Sequence, residues 1–429
     1  MKSCRQRKAA IMSKLNRVKD VAFLSTYPPR ECGLATFTED LVNEITKAGQ
    51  VRAHVIAVAK GAEEYEDPRV AYILSQHDRS SYFKTAQWAN THVDLLVIEH
   101  EYGIFGGEYG SYILDMARGL TIPFIVTTHT VLLEPLPEQR AILRDLGRLS
   151  SKVVTMARSS IPILAGTYGI APEKLAFIPH GVPDMQVESR AKLKIAHGLR
   201  DKKVISSFGL ISPAKGLEYG IEALAKVVPD YKNLVYLILG KTHPCVKESM
   251  GESYRQSLVD LAQSLGVQDN VRFIDKYLTK QEVITYLRLS DVYLTPYLSK
   301  EQAVSGTLAY AMGCGRVIVS TPYRYAVEML GGGRGLLAGF KDSESMAACI
   351  RTVLGNPTKK AAMEQKTLAV GQTMLWATVA AQYVELGLSI IEDAGNRAQQ
   401  GAWRLMRPPV AISQPQLVLA GRREMGARV

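Results

Sequence analysis

The chain alternates short apolar runs with segments of helical periodicity, and this alternation restricts its fold more than any other feature. The first apolar run is 21–25, and the segment after it has apolar residues at 34, 37, 41, 42 and 45, the spacing of one helical face. Continuous Val, Ile and Leu runs separated by helices are typical of a parallel sheet that is covered on both faces. Further runs of the first half lie at 53–59, 70–74, 93–98, 122–127, 153–156 and 175–178.

The pattern is interrupted between residues 179 and 203, and then it resumes. A chain of 429 residues is long enough for each half to bury its own core. We therefore predict an α/β protein with two doubly wound, Rossmann-like domains, one at 21–186 and one at 187–372, that face a central cleft. A capping box from Thr279 to Glu282 predicts one helix start in the second domain. The apolar runs of this half lie at 204–208, 234–239, 271–274, 292–295 and 317–320.

The net charge of +11 is confined to the two ends of the chain. Residues 1–20 contain seven Lys or Arg and one Asp, and residues 396–429 contain six Arg and one Glu, so the region between them is neutral. Neither tail interleaves aromatic residues with its charges, as a platform for single-stranded nucleic acid does. We expect a basic extension at 1–20 and a disordered tail at 396–429, which make at most weak contacts with a membrane surface and bind no specific nucleic acid.

Three features predict a cytoplasmic protein. No apolar run approaches the roughly 18 to 20 residues that span a bilayer. Residues 1–20 lack the apolar centre of a signal peptide. The five cysteines are odd in number and scattered, without the paired spacing of a metal site, which fits a reducing compartment.

Polar residues follow the ends of several predicted strands, where open α/β sheets bind their ligands. The segment 305–307, Ser-Gly-Thr, joins an apolar run to an Ala- and Leu-rich helix. A small-residue loop at a helix N-terminus presents free backbone N–H groups and the positive end of the helix dipole, so it suits a phosphate. The alternative is that this loop only starts a packing helix. The other polar strand ends are 31–33, 99–102, 127–130, 212–215, 240–243 and 276–277.

With these motifs in this order, the chain resembles the retaining glycosyltransferases of family 4, whose two-domain architecture is called GT-B. The resemblance covers about residues 21–392. It implies that a closing helix at 373–395 crosses back to the first domain. The motifs that carry it are Pro-Pro-Arg-Glu-Cys-Gly at 28–33, His129 after an apolar strand, Ile-Pro-His-Gly-Val at 178–182, Phe-Gly-Leu-Ile-Ser-Pro-Ala-Lys-Gly at 208–216, Met-Gly-Cys-Gly at 312–315 and the helix around Trp376.

The resemblance also implies roles for individual residues. Lys215 is expected to pair with the diphosphate of a nucleotide sugar, and the backbone N–H groups of 305–307 are expected to bind the same phosphates. Gly33 would let the first loop approach the sugar closely, His129 would lie beside the sugar, and the loop near Tyr277 would meet the base. The expected catalytic residues are His129, Lys215 and Glu101. The expected donor-binding residues are Gly33, Gly209, Ser212, Lys215, Tyr277, Gln302, Ser305, Gly306 and Thr307. The expected acceptor-side residues are His100 and Tyr102.

The chain departs from the family pattern at three positions. Gln302 and Tyr310 stand where most members carry a pair of glutamates, and Leu210 stands where an arginine is usual. These replacements affect groups expected to bind ribose, to orient the sugar and to pair with phosphate. They motivate a second hypothesis, in which the protein binds a nucleotide sugar or a glycan without transferring it.

Several candidate residues have simpler interpretations. His100, Glu101 and His129 are a conceivable metal set, but the first two are adjacent on a strand and point to opposite sides, so we predict no metal site. His129 is also compatible with capping backbone carbonyls, and Lys215 with a solvated surface position. Tyr310, among apolar neighbours, is also typical of a core residue.

The sequence therefore predicts a retaining hexosyltransferase that uses a nucleotide diphosphate sugar, a sugar or glycan acceptor and no cofactor. In this mechanism fixed donors and a cation stabilise the leaving diphosphate, and no metal or protein nucleophile is obligatory. The alternatives are a GT-B glycoside phosphorylase and the binding protein without transfer activity.

Overall fold

The computed structural model describes residues 17–184 and 188–405, and these form two α/β domains. The strands are β1 (Lys19–Ser25), β2 (Val51–Ala59), β3 (Val70–Ser75), β4 (Leu95–His100), β5 (Phe124–Thr128), β6 (Lys152–Thr155), β7 (Leu175–Phe177), β8 (Lys203–Phe208), β9 (Leu234–Leu239), β10 (Val271–Ile274), β11 (Val292–Thr295), β12 (Ile318–Ser320) and β13 (Gly335–Leu337).

Helices separate almost all of these strands. The α-helices are α1 (Gly33–Ala48), α2 (Arg79–His92), α3 (Ile113–Gly119), α4 (Pro137–Leu149), α5 (Ile161–Gly166), α6 (Arg190–Ala196), α7 (Leu217–Val227), α8 (Pro244–Met250), α9 (Ser253–Ser264), α10 (Lys280–Leu289), α11 (Gly306–Gly313), α12 (Arg324–Leu330), α13 (Ser343–Gly355), α14 (Pro357–Gln372) and α15 (Trp376–Leu405). Short 3-10 turns lie at Tyr102–Ile104, Glu108–Gly110, Arg158–Ser160, Pro172–Lys174, Pro213–Lys215 and Gln268–Asn270.

Both sheets are parallel and doubly wound, which confirms the predicted fold class. The first has the strand order β3-β2-β1-β4-β5-β6-β7, and the second has β10-β9-β8-β11-β12-β13. In each sheet the direction of winding reverses at one place, between β1 and β4 and between β8 and β11. Strand β13 was not predicted from the sequence, because its three residues follow a glycine run and carry too short an apolar signal.

The first helix illustrates how the sequence specifies these elements. Cys32 caps α1, and its sulfur accepts a hydrogen bond from Ala35 N. The side chains of Phe37, Leu41 and Ile45 lie on the buried face, as their spacing predicts. In the second domain the predicted capping box is confirmed, since Thr279 and Glu282 satisfy each other's backbone N–H groups at the start of α10.

The two connections between the domains pass side by side. Val182 N donates to Met374 O at 2.8 Å, Trp376 N donates to Val182 O at 2.9 Å, and Val182 and Leu375 form a parallel β-bridge. Helix α15 then packs against the first domain, where Val379 and Tyr383 join the same apolar core as strand β1. Among the described residues, the first strand and the last helix therefore both belong to the first domain.

Some predicted boundaries differ from the structure. Strand β1 begins at Lys19, inside the expected extension, because Arg17 pairs with Asp20 and Asp94 and fixes the chain there. The tail prediction is wrong for 396–405, which continue α15 beyond its expected end at 395. Residues 1–16 and 406–429, and the domain boundary at 186, lie outside the described residues. Within 17–184 and 188–405, every helix is too short or too polar to span a bilayer.

Candidate active site

The loops that carry the candidate residues lie at the winding reversals of the two sheets. The segments after β1, β4 and β5 lead to Gly33, Glu101 and His129, and those after β8 and β11 lead to Lys215 and Ser305. Parallel strands end at the same edge of their sheet, and doubly wound proteins bind ligands at this edge, beside the reversal. The fold therefore brings Gly33, Glu101, His129, Lys215 and Ser305 to the facing edges of the two sheets, at one cleft between the domains.

The N-terminus of α11 forms one wall of the cleft. Ser305 Oγ accepts a hydrogen bond from Leu308 N at 3.3 Å, and Thr307 Oγ1 lies 3.1 Å from Ser305 Oγ. Thr307 Oγ1 also lies 2.9 Å from Tyr297 Oη. The N–H groups of Gly306 and Thr307 have no intrahelical acceptor, because they belong to the first turn. The loop thus has the donor groups expected of an anion site.

Lys215 ends a 3-10 turn beside this helix. Its Nζ lies 3.9 Å from the centroid of the Tyr297 ring, and among the described residues no carboxylate pairs with it. Lys215 N donates to Ser212 O at 2.9 Å, which closes the turn. The next residue, Gly216, has φ +59, and a Cβ there would lie 2.3 Å from Pro296 O. Only glycine allows this turn to lie so close to the end of β11.

Gly209 is the other glycine that the site requires. It has φ +130, and a Cβ built on it would lie 3.7 Å from Thr307 Cγ2. The loop after β8 therefore passes directly beside the loop that starts α11. Gly209, Ser212, Lys215 and 305–307, predicted from separate stretches of sequence, are brought together in the structure.

His129 is fixed by a buried carboxylate. Its Nε2 lies 2.8 Å from Oε2 of Glu99, whose side chain is 0% exposed, and the His129 side chain is 9% exposed. A neutral imidazole that donates from Nε2 has Nδ1 left as an acceptor. Glu101 is half-buried on the neighbouring loop, where its two oxygens accept from Tyr102 N and Thr130 Oγ1. Glu101 thus holds the segment that follows His129.

His100 and Tyr102 do not line the cleft, and their expected contact with an acceptor is wrong for this structure. His100 is completely buried against the rings of Tyr102 and Phe105, and in the described part of the chain neither of its ring nitrogens has a hydrogen-bond partner. Burial, together with the charge of nearby His129, lowers the pKa of His100 to about 3. Tyr102 is also buried, and its hydroxyl donates to Gln139 O at 3.1 Å. Both residues pack the loop from behind.

Aromatic contacts join the two walls of the cleft. The ring of Phe37, on α1, meets His129 edge-on at 4.8 Å, His180 at 5.2 Å and Trp376 at 5.0 Å. His180 in turn packs against the start of α11, since a Cβ on Gly306 would lie 2.9 Å from its Nε2. Burial lowers the pKa of His180 to about 4, so the ring is neutral at neutral pH. His180 is a packing residue at the domain connection.

Polar contacts also cross the cleft. Asp40, on α1, is 4% exposed and accepts a hydrogen bond from Tyr310 Oη at 2.8 Å and another from Lys280 Nζ. Tyr277 Oη lies 3.3 Å from Thr36 Oγ1, so this residue links the domains at the position expected to meet the base. Gln302 Nε2 donates to Val304 O at 3.1 Å and is directed to its own loop.

Sequence reasoning assigned no role in the site to Asp40 or Tyr297, and it named Glu99 only as part of the polar strand end 99–102. Asp40 lies three residues after Phe37 on the apolar face of α1, and a carboxylate there is a signal that a partner must exist. Glu99 interrupts an otherwise apolar strand end in the same way. Among the described residues, no group of three or more His, Cys, Asp and Glu side chains is arranged to hold a metal ion.

Two family models together match most of the chain. The model described as Glycosyltransferase Family 4 matches residues 32–185, and the model described as Glycosyl transferases group 1 matches residues 189–369. The boundary between the two matches falls at the connection between the two domains.

Curated relatives and a solved structure are similar to the chain over most of its length. A GDP-mannose-dependent alpha-(1-6)-phosphatidylinositol monomannoside mannosyltransferase of Mycolicibacterium smegmatis is 26% identical over 361 residues, which are 79% of this chain and 89% of the relative. A D-inositol 3-phosphate glycosyltransferase of Kineococcus radiotolerans is 25% identical over 349 residues, 74% of this chain and 76% of the relative.

The crystal structure of Anabaena HepE in complex with UDP has a TM-score of 0.70 at 20% identity, and the match covers 86% of this chain and 100% of that one. The fold, the two family models and the curated relatives agree. The chain belongs to the family 4 glycosyltransferases of the GT-B fold.

Proposed function

We propose that the cleft binds a nucleoside diphosphate hexose and transfers the hexose, with retention, to a sugar or glycan hydroxyl. The observation that carries this proposal is the half-buried Lys215, which has no carboxylate partner among the described residues and lies beside the capped N-terminus of α11. A cation without a counter-ion and a row of free N–H groups form together a site for a dianion such as a diphosphate.

The chemistry that this site supports is the departure of a diphosphate. The bond between the sugar C1 and the phosphate oxygen breaks, and negative charge grows on the leaving group. Lys215 and the N–H groups of Gly306 and Thr307 would stabilise that charge because they are fixed before the reaction. The acceptor oxygen then forms its bond to C1 on the same face, and its proton goes to the departing phosphate.

The sugar would lie between the phosphate site and His129. In the tautomer whose proton is on Nε2, Nδ1 can accept a hydrogen bond from a sugar hydroxyl, and Phe37 supports the ring from behind. We propose that this chemistry needs no metal and takes place in the cytoplasm, as the scattered cysteines predict. The departures at Gln302 and Tyr310 concern contacts to the ribose and the sugar. Leu210 stands in place of one phosphate cation, so Lys215 and the N–H groups at the start of α11 would bind the diphosphate without it.

The first experiment is a thermal-shift screen against UDP, GDP and ADP and their glucose and mannose conjugates, with wild type and Lys215→Ala. A ligand at about a hundred times its Kd adds roughly 2.7 kcal/mol to the free energy of unfolding. We expect one nucleotide to stabilise wild type and not Lys215→Ala. The matched control is Lys226→Ala, because Lys226 lies on α7 and pairs with Glu344 outside the cleft.

The second experiment measures turnover of the nucleotide sugar that binds. We expect release of the nucleoside diphosphate, a product of the same anomeric configuration by NMR, and loss of both in Lys215→Ala. Phosphate-dependent release of a sugar phosphate would establish the phosphorylase instead. Donor binding without any turnover, over a broad panel of acceptors, would establish the binding protein, and wild-type rates in Lys215→Ala would exclude the proposed mechanism.

A further inference from the structure

Tyr297 contacts both parts of the proposed phosphate site. It follows β11, is 3% exposed and places its ring 3.9 Å from Lys215 Nζ. Its hydroxyl lies 2.9 Å from Thr307 Oγ1 at the start of α11. Lys215 and Thr307 belong to different loops, after β8 and after β11, so a single buried side chain connects the two.

The ring of Tyr297 is itself held on its second face. Tyr323, which is completely buried, stacks on it with 5.4 Å between ring centroids and 17° between ring planes. The Tyr297 ring thus lies between the Lys215 ammonium group and the Tyr323 ring. A backbone hydrogen bond joins the same two loops, because Leu298 N donates to Ala214 O at 3.0 Å. The Tyr297 ring and the turn that carries Lys215 are therefore joined by a side-chain contact and by a backbone hydrogen bond.

An aromatic ring differs from a carboxylate as a partner for a lysine. A carboxylate would fix the ammonium group and neutralise it, so an arriving phosphate would have to compete for it. The face of a tyrosine orients the ammonium group through its quadrupole and leaves its charge intact. Burial raises the pKa of Tyr297. The Lys215 charge and the hydroxyls of Thr307 and Ser305 lower it by more than burial raises it, so the pKa lies below its ordinary value. The phenol oxygen therefore lies in a positive local potential, which also favours a phosphate oxygen.

We propose that Tyr297 is a positioning residue of the donor site, whose ring holds the Lys215 ammonium and whose hydroxyl holds Thr307 at the spacing that a diphosphate requires. This inference rests on the proposed donor site. It explains how Lys215 is kept in place without a counter-ion. It also assigns a function to a residue that lies outside the recognised sequence motifs.

The test uses the full chain and the nucleotide that binds wild type in the screen above. Tyr297→Leu removes the ring, and we expect the Kd for that nucleotide to rise about 10- to 30-fold, the range of a desolvated cation–π contact. Lys215→Ala binds the nucleotide too weakly to respond in the screen, so its Kd is measured by titration to much higher nucleotide concentrations. In that background Tyr297→Leu should change the Kd less than about twofold, because the partner of the ring is already gone. If Tyr297 were only structural, Tyr297→Leu would raise the Kd by the same factor in wild type and in the Lys215→Ala background.

A second pair of variants keeps the volume of the side chain and so tests the inference even where Tyr297→Leu does not fold. Tyr297→Phe should raise the donor KM about two- to fivefold, and this rise should vanish in the Thr307→Val background. The control is Tyr325→Phe, which removes a buried hydroxyl that has no partner among the described residues.

The outcomes separate the two proposals. If the wild type binds a nucleotide and both Tyr297 variants bind it equally well, the positioning role is wrong and the donor site stands. Equal effects in the single and double backgrounds would also exclude the role. If no nucleotide binds wild type, the donor site is wrong and the role assigned to Tyr297 is excluded with it.

Discussion

Nε2 of His129 lies 2.8 Å from Oε2 of Glu99, a carboxylate that is completely buried at the end of β4. The second oxygen of Glu99 has no hydrogen-bond partner within residues 17–184 and 188–405. A buried carboxylate with one partner contributes little to stability. We therefore infer that Glu99 serves to orient the His129 ring.

We therefore predict that Glu99→Gln lowers kcat about tenfold, since a charge-assisted hydrogen bond becomes a neutral one, and leaves Tm unchanged or higher because a buried charge is removed. Steady-state kinetics and calorimetry measure the two effects. In the His129→Ala background, Glu99→Gln should not lower kcat any further, because the ring that Glu99 orients is already absent. A fall in Tm with kcat unchanged would show that Glu99 is only structural.

Tyr310 stands where most family members carry a glutamate, and replacing it with glutamate gives a second prediction. Restoring a carboxylate with Tyr310→Glu would place it against Asp40, whose pKa is already raised by burial. We expect Tyr310→Glu to lower Tm by several degrees and to raise the donor KM, whereas Tyr310→Phe, which loses one hydrogen bond, costs about 1–2 kcal/mol. Improved activity in Tyr310→Glu would mean that the glutamate position is open to the donor.

Gly33 and Gly306 form a matched pair of glycine-to-alanine tests. A Cβ on Gly33 meets no atom within 4 Å, and one on Gly306 lies 2.9 Å from His180 Nε2. We expect Gly33→Ala to keep the wild-type Tm and yet weaken donor binding, because only the bound donor fills that space. Gly306→Ala should weaken donor binding and also lower stability by about 1–2 kcal/mol. Normal donor affinity in Gly33→Ala would place the donor away from α1.

The buried ion cluster around Asp291 gives a pH-dependent prediction. Burial raises the pKa of Asp291, but Lys360 and Lys194 outweigh it and lower the pKa to about 2. Because the folded pKa is below the unfolded value, near 3.9, the ionised carboxylate stabilises the fold above that value, and this contribution is lost as pH falls towards 2. Asp291→Asn should cost about 2–3 kcal/mol at pH 7 and progressively less from about pH 4 to pH 2, by urea unfolding.

The control for this prediction is Asp230→Asn, because Asp230 pairs with Arg351 at the surface. Exposed pairs contribute less than about 1 kcal/mol. A difference between wild type and Asp291→Asn that stays constant from pH 7 to pH 2 would contradict the assigned pKa.

The parts of the structure that were predictable from sequence are those with a local signal. Strands of continuous Val, Ile and Leu, and the capping box at Thr279, are readable from a few neighbouring residues. The small-residue loop before α11 was recognised for the same reason. Its proposed use as a phosphate site depends on Lys215, ninety residues earlier in the chain, and the resemblance to a known family supplied that connection.

For the pairs that fix the side chains, the sequence signals at most that a buried carboxylate needs a partner, and it does not identify that partner. Asp40 and Tyr310 are separated by 270 positions, and Glu99 and His129 by 30. The acceptor-side prediction at His100 failed because alternation along a strand says which residues share a side but does not say which side faces the ligand. Only the packing of Tyr102 and Phe105 around His100 decides this.

Helix α15 has a consequence for the order in which this protein is made. The core of the first domain contains Val379, Tyr383 and Val384, so that domain cannot complete its packing before the last part of the chain has left the ribosome. The second domain has all of its strands earlier in the sequence. Although domains usually finish from the N-terminal end during translation, here the domain synthesised second is the first that can finish folding, and the cleft between the two domains forms last.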